Sequence, residues 1–166
     1  MSPRAGKKGI SAAGPGGFGL MVWRVVCLVA LAGTIGFIFC HSAQPASISG
    51  AQSRDVLEVV NHMLQAYGLP GVSEYAVRKM AHFAEFTALG WWLVLCARAF
   101  FLHHGQIWPW LWAAGTLCAA LDESLQLVVP GRAARISDVF LDACGVGCGL
   151  ALATGAVWLY RHWVRL

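Results

Sequence analysis

The chain has 166 residues, 58% of them hydrophobic and 12% charged, with a formal net charge of +4 at pH 7. That charged fraction is about half of what a soluble domain carries, and the mean hydropathy is +0.61. These figures count against a soluble enzyme, a nucleic-acid reader and a disordered chain, and they leave a small, single-domain polytopic membrane protein.

Residues 1–19 hold Gly, Pro and Ser with Lys7 and Lys8 and show no apolar periodicity. They read as a flexible cytoplasmic tail. The first apolar run, about residues 20–40, is interrupted only by Arg24 and can cross a hydrocarbon core of about 30 Å. A basic segment before an apolar run also suits a signal peptide. However, Ala43 and Ala46 do not make an Ala-x-Ala site, and the bulky residues before Cys40 do not suit a lipobox. The reading is a retained span.

The stretch from His41 to Arg78 is the longest loop. In it Val56, Val59, Val60, Met63 and Tyr67 recur at helical spacing, opposite Glu58, Asn61, His62 and Gln65. Ser53 can cap the start of this helix, Asp55 suits its first turn, and Gly68 with Pro70 ends it. The expectation is a short amphipathic helix on the outer interface or over the bundle. Three further spans follow, at about 80–102, 107–129 and 137–160. Pro109 lies near the start of the second of these, where proline is tolerated. His103 to Gln106 form a tight connection, Pro130 to Ile136 a second turn, and residues 161–166 a cytoplasmic tail. The fold class is all-α: an integral membrane four-helix bundle with the amphipathic helix in its first extracytoplasmic loop.

Orientation follows from the basic residues. With the N-terminus inside, seven of them (Arg4, Lys7, Lys8, Arg24, Arg98, Arg161, Arg165) face the cytoplasm and five (Arg54, Arg78, Lys79, Arg132, Arg135) the exterior. All eight acidic residues fall on the outer half. Trp23, Trp108, Trp110, Trp158 and Trp163 gather toward the inner interface as an aromatic belt. The expected topology is four spans with both termini cytoplasmic. The six cysteines lie in or beside apolar runs without a CxxC pair, and they read as free thiols packed as small hydrophobes.

Ionisable groups inside spans are costly and mark function by default. Lys79, His82 and Glu85 step by three along the second span and share one helix face. Glu85 lies about 8 Å below the outer edge at 1.5 Å per residue. Asp122, Glu123 and Gln126 sit at the outer end of the third span, Arg132 and Arg135 in the turn, and Asp138 and Asp142 one helical turn apart at the start of the fourth. Three spans therefore bring polar groups to one shallow depth. The set is open to several chemistries. His82 and Glu85 have the spacing of two metal ligands. Crowded carboxylates suit acid–base work, with His82, Glu85, Asp122 and Glu123 as the candidate catalytic groups. Lys79, Arg132 and Arg135 can clamp a phosphate or carboxylate. An internal salt-bridge network is the purely structural alternative. No triad spacing is visible, and Ser124 is a weak nucleophile candidate. No metal or cofactor is assigned. Gly145 and Gly149 form a small-xxx-small pair, continued by Ala153, for close helix packing.

These motifs resemble the VanZ-like family. Phe39 to Pro45, with Ser42 and Gln44, is similar to its Ser-Ser-Gln-type motif. Lys79, His82, Phe83, Glu85 and Phe86 resemble a Lys-x-x-His-Phe-x-Glu-Tyr motif. Asp122, Glu123 and Gln126 followed by Pro130, Gly131 and Arg132 resemble a second signature, and Asp138, Asp142, Gly145 and Gly149 the last. Phe86 replaces the usual Tyr, and Ala43 replaces a Ser. The resemblance covers about residues 20–160. It implies a bacterial four-span inner-membrane protein from a family whose namesake is linked to resistance to the glycopeptide antibiotic teicoplanin. The expected function is binding or processing of an anionic cell-envelope lipid or a lipid-linked wall precursor. The ligand-binding set is Lys79, His82, Glu85, Asp122, Glu123, Gln126, Arg132, Asp138 and Asp142. A membrane scaffold or accessory subunit is the alternative, and a small proton-linked transporter a further one. Membrane lipid is the expected partner, nucleic acid is not, and the residues leave open the oligomeric state and whether any bond is broken.

Overall fold

The computed structural model describes residues 16–100 and 104–164. Within them the chain is all-helical: α1 Gly16–Ser42, α2 Ala46–Ala66, α3 Glu74–Ala99, α4 His104–Gln126 and α5 Ile136–Trp163. Most of the expected tail, residues 1–15, lies outside the described residues, as do residues 101–102 of the expected second span and residue 103 of the expected connection. α1 starts at Gly16, inside the segment expected to be a tail. His104 and Gln106, expected in a connection, are helical, which leaves Pro109 inside α4 rather than in its first turn. Its ring forfeits one N–H of the helix ladder there.

Among the described residues, three helices are long and apolar enough to cross a membrane: α1, α3 and α5. α4 falls outside that set; it carries Pro109, three tryptophans and the Asp122–Glu123 pair. The outward faces bear large apolar side chains that water would not tolerate in such number, among them Phe18, Met21, Val29 and Phe37 of α1 and Leu152 and Trp158 of α5. The chain is a membrane protein. α1 and α3 run antiparallel. Near one end Arg24 donates to the Ala99 carbonyl at 2.9 Å, and near the other His41 meets Glu85.

The tightest pairing is α3 against α5, and glycine makes it possible. A Cβ on Gly149 would stand 2.0 Å from the Thr87 carbonyl oxygen, and one on Gly145 would stand 2.7 Å from that of Phe83. Gly90 of α3 presents the same close approach to Val146. The two backbones therefore touch, with Phe86, Leu89, Val146, Leu150 and Ala153 filling the core around them. α4 lies against α5, where the Trp112 indole donates to the Ala143 carbonyl at 3.0 Å.

α2 is longer than the sequence indicated. It begins just after Pro45, whose carbonyl accepts from the Ile48 and Ser49 amides. Ser53 is therefore not a cap; its hydroxyl donates back to the Ser49 carbonyl at 2.9 Å inside the helix. Proline at the cap and the Ala/Ser-rich turn after it carry little apolar signal, so that first turn could not be seen by periodicity. The stop is as expected. Gly68 takes φ 68°, a left-handed conformation glycine adopts freely, and the Leu64 carbonyl accepts from the Tyr67 and Leu69 amides. Asn61 then fastens the following loop to α2, accepting from the Val72 amide at 2.7 Å and donating to the Val72 carbonyl at 3.2 Å.

Substituting Gly149 with Leu should separate α3 from α5. The expected cost is about 1–3 kcal/mol, read as a lower melting temperature of the detergent-solubilised protein. Leu at Gly33, where a Cβ would meet nothing within 4 Å, should leave the melt unchanged.

Candidate functional site

The ends of α1 and α4, the N-terminal half of α3 and the start of α5 meet at one end of the bundle. Ser42 is fully buried at the end of α1 and donates to Asp122 Oδ2 at 2.8 Å. Gln126, one turn beyond Asp122, donates to the same carboxylate oxygen at 3.2 Å and to the Ser42 hydroxyl at 3.3 Å. This triangle closes α1 onto α4. Beside it, His41 Nδ1 and Glu85 Oε1 are 2.8 Å apart, which closes α1 onto α3. His41 also stacks on His82, with centroids 6.1 Å apart.

The turn between α4 and α5 is built to reach back. Helix α4 ends at Gln126, and the Leu127, Val128 and Val129 amides each bond three residues back. Gly131 takes φ 75°, and a Cβ there would stand 3.0 Å from that of Ala46. The turn so placed meets the start of α2: Pro130 O accepts from the Ala46 amide at 3.2 Å. Arg132 follows and holds the end of α1, donating to the His41 carbonyl at 3.2 Å and the Gln44 carbonyl at 3.3 Å. Burial, helped by the nearby Arg78 charge, lowers the Arg132 pKa from its ordinary value; the buried cation favours an anionic neighbour. Glu123 accepts from the Arg135 backbone amide, and Lys79 pairs with Asp138.

A cleft of about 170 Å³ opens between α3, this turn and α5. Seven of the nine residues expected to bind a ligand line it: Lys79, His82, Glu123, Gln126, Arg132, Asp138 and Asp142. Glu85 and Asp122 do not; they are taken up by His41, Ser42 and Gln126. The cleft also gathers Tyr75, Arg78 and Arg135. Ser124 is on the outside of the bundle, donating to the Ala120 carbonyl at 2.6 Å, and takes no part in the site.

Sequence reasoning left His41 and Ser42 out of the ligand-binding set. They close α1, which periodicity reads only as an apolar span. The available signal was the short polar run after it, Ser42 to Gln44, noticed only through a family motif.

Buried polar atoms without a hydrogen-bond partner collect here. Among the described residues they are Asp122 Oδ1, both Asp142 oxygens, Glu85 Oε2, Gln44 Oε1 and Arg132 Nη1, with Thr116 Oγ1 the exception elsewhere. Native interiors rarely leave such groups unpaired, and here all but one of those found among the described residues gather at this end of the bundle. One ligand atom each from His82, Asp122 and Asp142 also lies within 4.8 Å of the others.

The VanZ/LLP1 family model matches residues 25–160. The chain belongs to the VanZ/LLP1 family. The matched segment contains every residue of the cleft, the Ser42 triangle and the glycine contacts of α5. The chain matches no curated protein and no solved structure.

The triangle of Ser42, Asp122 and Gln126 should behave as one unit. Ser42→Ala should cost about 1–3 kcal/mol by stripping a buried carboxylate of a donor. In a double-mutant cycle with Asp122→Asn, detergent melts should show a coupling of about 0.5–3 kcal/mol. Strictly additive effects would remove the triangle from the account.

Proposed function

We propose that the cleft of this VanZ/LLP1 protein binds the anionic headgroup of a cell-envelope lipid or of a lipid-linked wall precursor. The observation that carries this reading is Arg132. It lines the cleft, its position is fixed by two backbone carbonyls, and its Nη1 is buried without a partner. A guanidinium held in that way is ready to engage a phosphate or carboxylate oxygen. Arg78 and Arg135 line the same cleft, and the Lys79–Asp138 and Glu123–Arg135 contacts account for two of its three acids. Four basic side chains thus line the cleft, Arg78, Lys79, Arg132 and Arg135.

The membrane setting agrees with a lipid ligand. We place α1, α3, α4 and α5 as four spans of an inner membrane with both termini in the cytoplasm, so that the cleft opens on the outer side. Supporting this are the antiparallel α1–α3 pair, the basic bias of the inner side, and the location of the cleft where α3 and α5 begin and α4 ends. α2 then lies on the outer interface. Val56, Val59 and Met63 on its apolar stripe are each more than half exposed, as a helix resting on lipid would require. Altered susceptibility to a glycopeptide such as teicoplanin is the phenotype this site would produce.

The purified protein should bind phosphatidylglycerol in preference to phosphatidylcholine. Arg132→Lys, which keeps the charge and loses the fork, and Arg78→Ala should each weaken that preference. For Arg132→Lys the loss should be about tenfold or more, the worth of a charge-assisted hydrogen bond. Equal binding of the two lipids by the wild type, or undiminished binding by both variants, would contradict the assignment.

A further inference from the structure

We propose that His82, Asp122 and Asp142 form a binding site for one divalent transition cation of the zinc class at the floor of the cleft. The three residues come from three helices, α3, α4 and α5, and their ligand atoms already lie within 4.8 Å of one another. Two ligands on one Zn²⁺ at about 2.0–2.1 Å stand about 3.3 Å apart. Small side-chain rotations therefore close the set without moving a helix.

The state of the two carboxylates is the independent observation. Asp142 is 1% exposed and Asp122 0%. Both oxygens of Asp142 lack any hydrogen-bond partner. Interior carboxylate oxygens are rarely left unpaired in this way. Asp122 divides its two oxygens. Oδ2 accepts from Ser42 and Gln126, while Oδ1 has no partner. A metal-ligating carboxylate has this arrangement, with one oxygen held by hydrogen bonds and the other presented to the ion. Lys79 is spoken for by Asp138 and does not neutralise Asp142 directly. A dication would compensate both buried charges at once.

The donor set selects the metal. Calcium and magnesium take oxygen ligands, whereas an imidazole with two carboxylates suits Zn²⁺ and its neighbours. Three protein ligands leave a fourth position. His82 and Asp142 line the cleft, so that position faces the same space as Arg132. This inference stands apart from the anionic-headgroup reading, and the two can fail separately.

The test uses the full chain, purified in neutral detergent with a tag that contains no histidine, stripped with a chelator and titrated with Zn²⁺ alone. About one Zn²⁺ per chain is expected, with at least a tenfold weaker affinity in Asp142→Asn and in His82→Gln. Arg132→Lys and Arg78→Ala should bind Zn²⁺ as the wild type does while losing preference for anionic lipid. X-ray absorption at the zinc edge of the wild type should report nitrogen and oxygen ligands, which keeps the proposal testable should either variant fail to fold. Absence of binding at micromolar Zn²⁺, unchanged affinity in both folded variants, or sulfur in the coordination shell from the cysteines would overturn it.

Discussion

The hydrogen bond from Ser42 to Asp122 joins the last residue of α1 to the last turn of α4, and both residues are buried from solvent. A carboxylate in such a place costs several kcal/mol unless donors reach it. Meeting that demand governs the geometry of this end of the molecule. Ser42 can reach Asp122 because α1 continues to the same depth as the end of α4. Gln126 reaches both because it stands one turn beyond Asp122. Arg132 holds the end of α1 by the His41 and Gln44 carbonyls, which keeps Ser42 in place. The turn that carries Arg132 depends in turn on the left-handed backbone at Gly131.

The opposite requirement operates along the middle of the bundle, where α3 and α5 meet backbone to backbone through Gly90, Gly145 and Gly149. Membrane helices gain little from hiding apolar surface from lipid, so close contact between small residues takes over. This contact sets how near the start of α5 lies to the N-terminal half of α3. It thereby fixes the distance between Lys79 and Asp138 and between His82 and Asp142. The cleft is the space left where the tight glycine seam opens toward the loop end.

Much of this was legible from residue order. Apolar length located α1, α3 and α5, and polar residues inside otherwise apolar runs marked Lys79, His82, Asp122, Glu123, Asp138 and Asp142. The glycine spacing at 145 and 149 signalled a close helix approach without naming its partner. The parts that were not legible depend on three-dimensional pairing. Glu85 and His82 share a helix face and read as joint ligands, yet Glu85 turns to His41 on another helix while His82 faces Asp122 and Asp142. Spacing along one helix cannot reveal a partner brought from elsewhere. The start of α2 was hidden for a different reason: its first turn follows a proline and carries Ile48 as its one large apolar side chain, so neither a cap nor a period announced it.

The site thus has two layers. Glu85, Asp122, Ser42 and His41 bind the helices to each other. Arg132, Arg78, Lys79, His82 and Asp142 face a space that this scaffold holds open. The central claim is that this space receives an anionic headgroup from the surrounding membrane. The most direct measurement is a cryo-electron microscopy structure in nanodiscs containing phosphatidylglycerol. The account predicts headgroup density within hydrogen-bonding distance of the Arg132 guanidinium inside the cleft. A cleft closed by protein side chains, with lipid headgroups ordered elsewhere and Arg132 turned away, would contradict it.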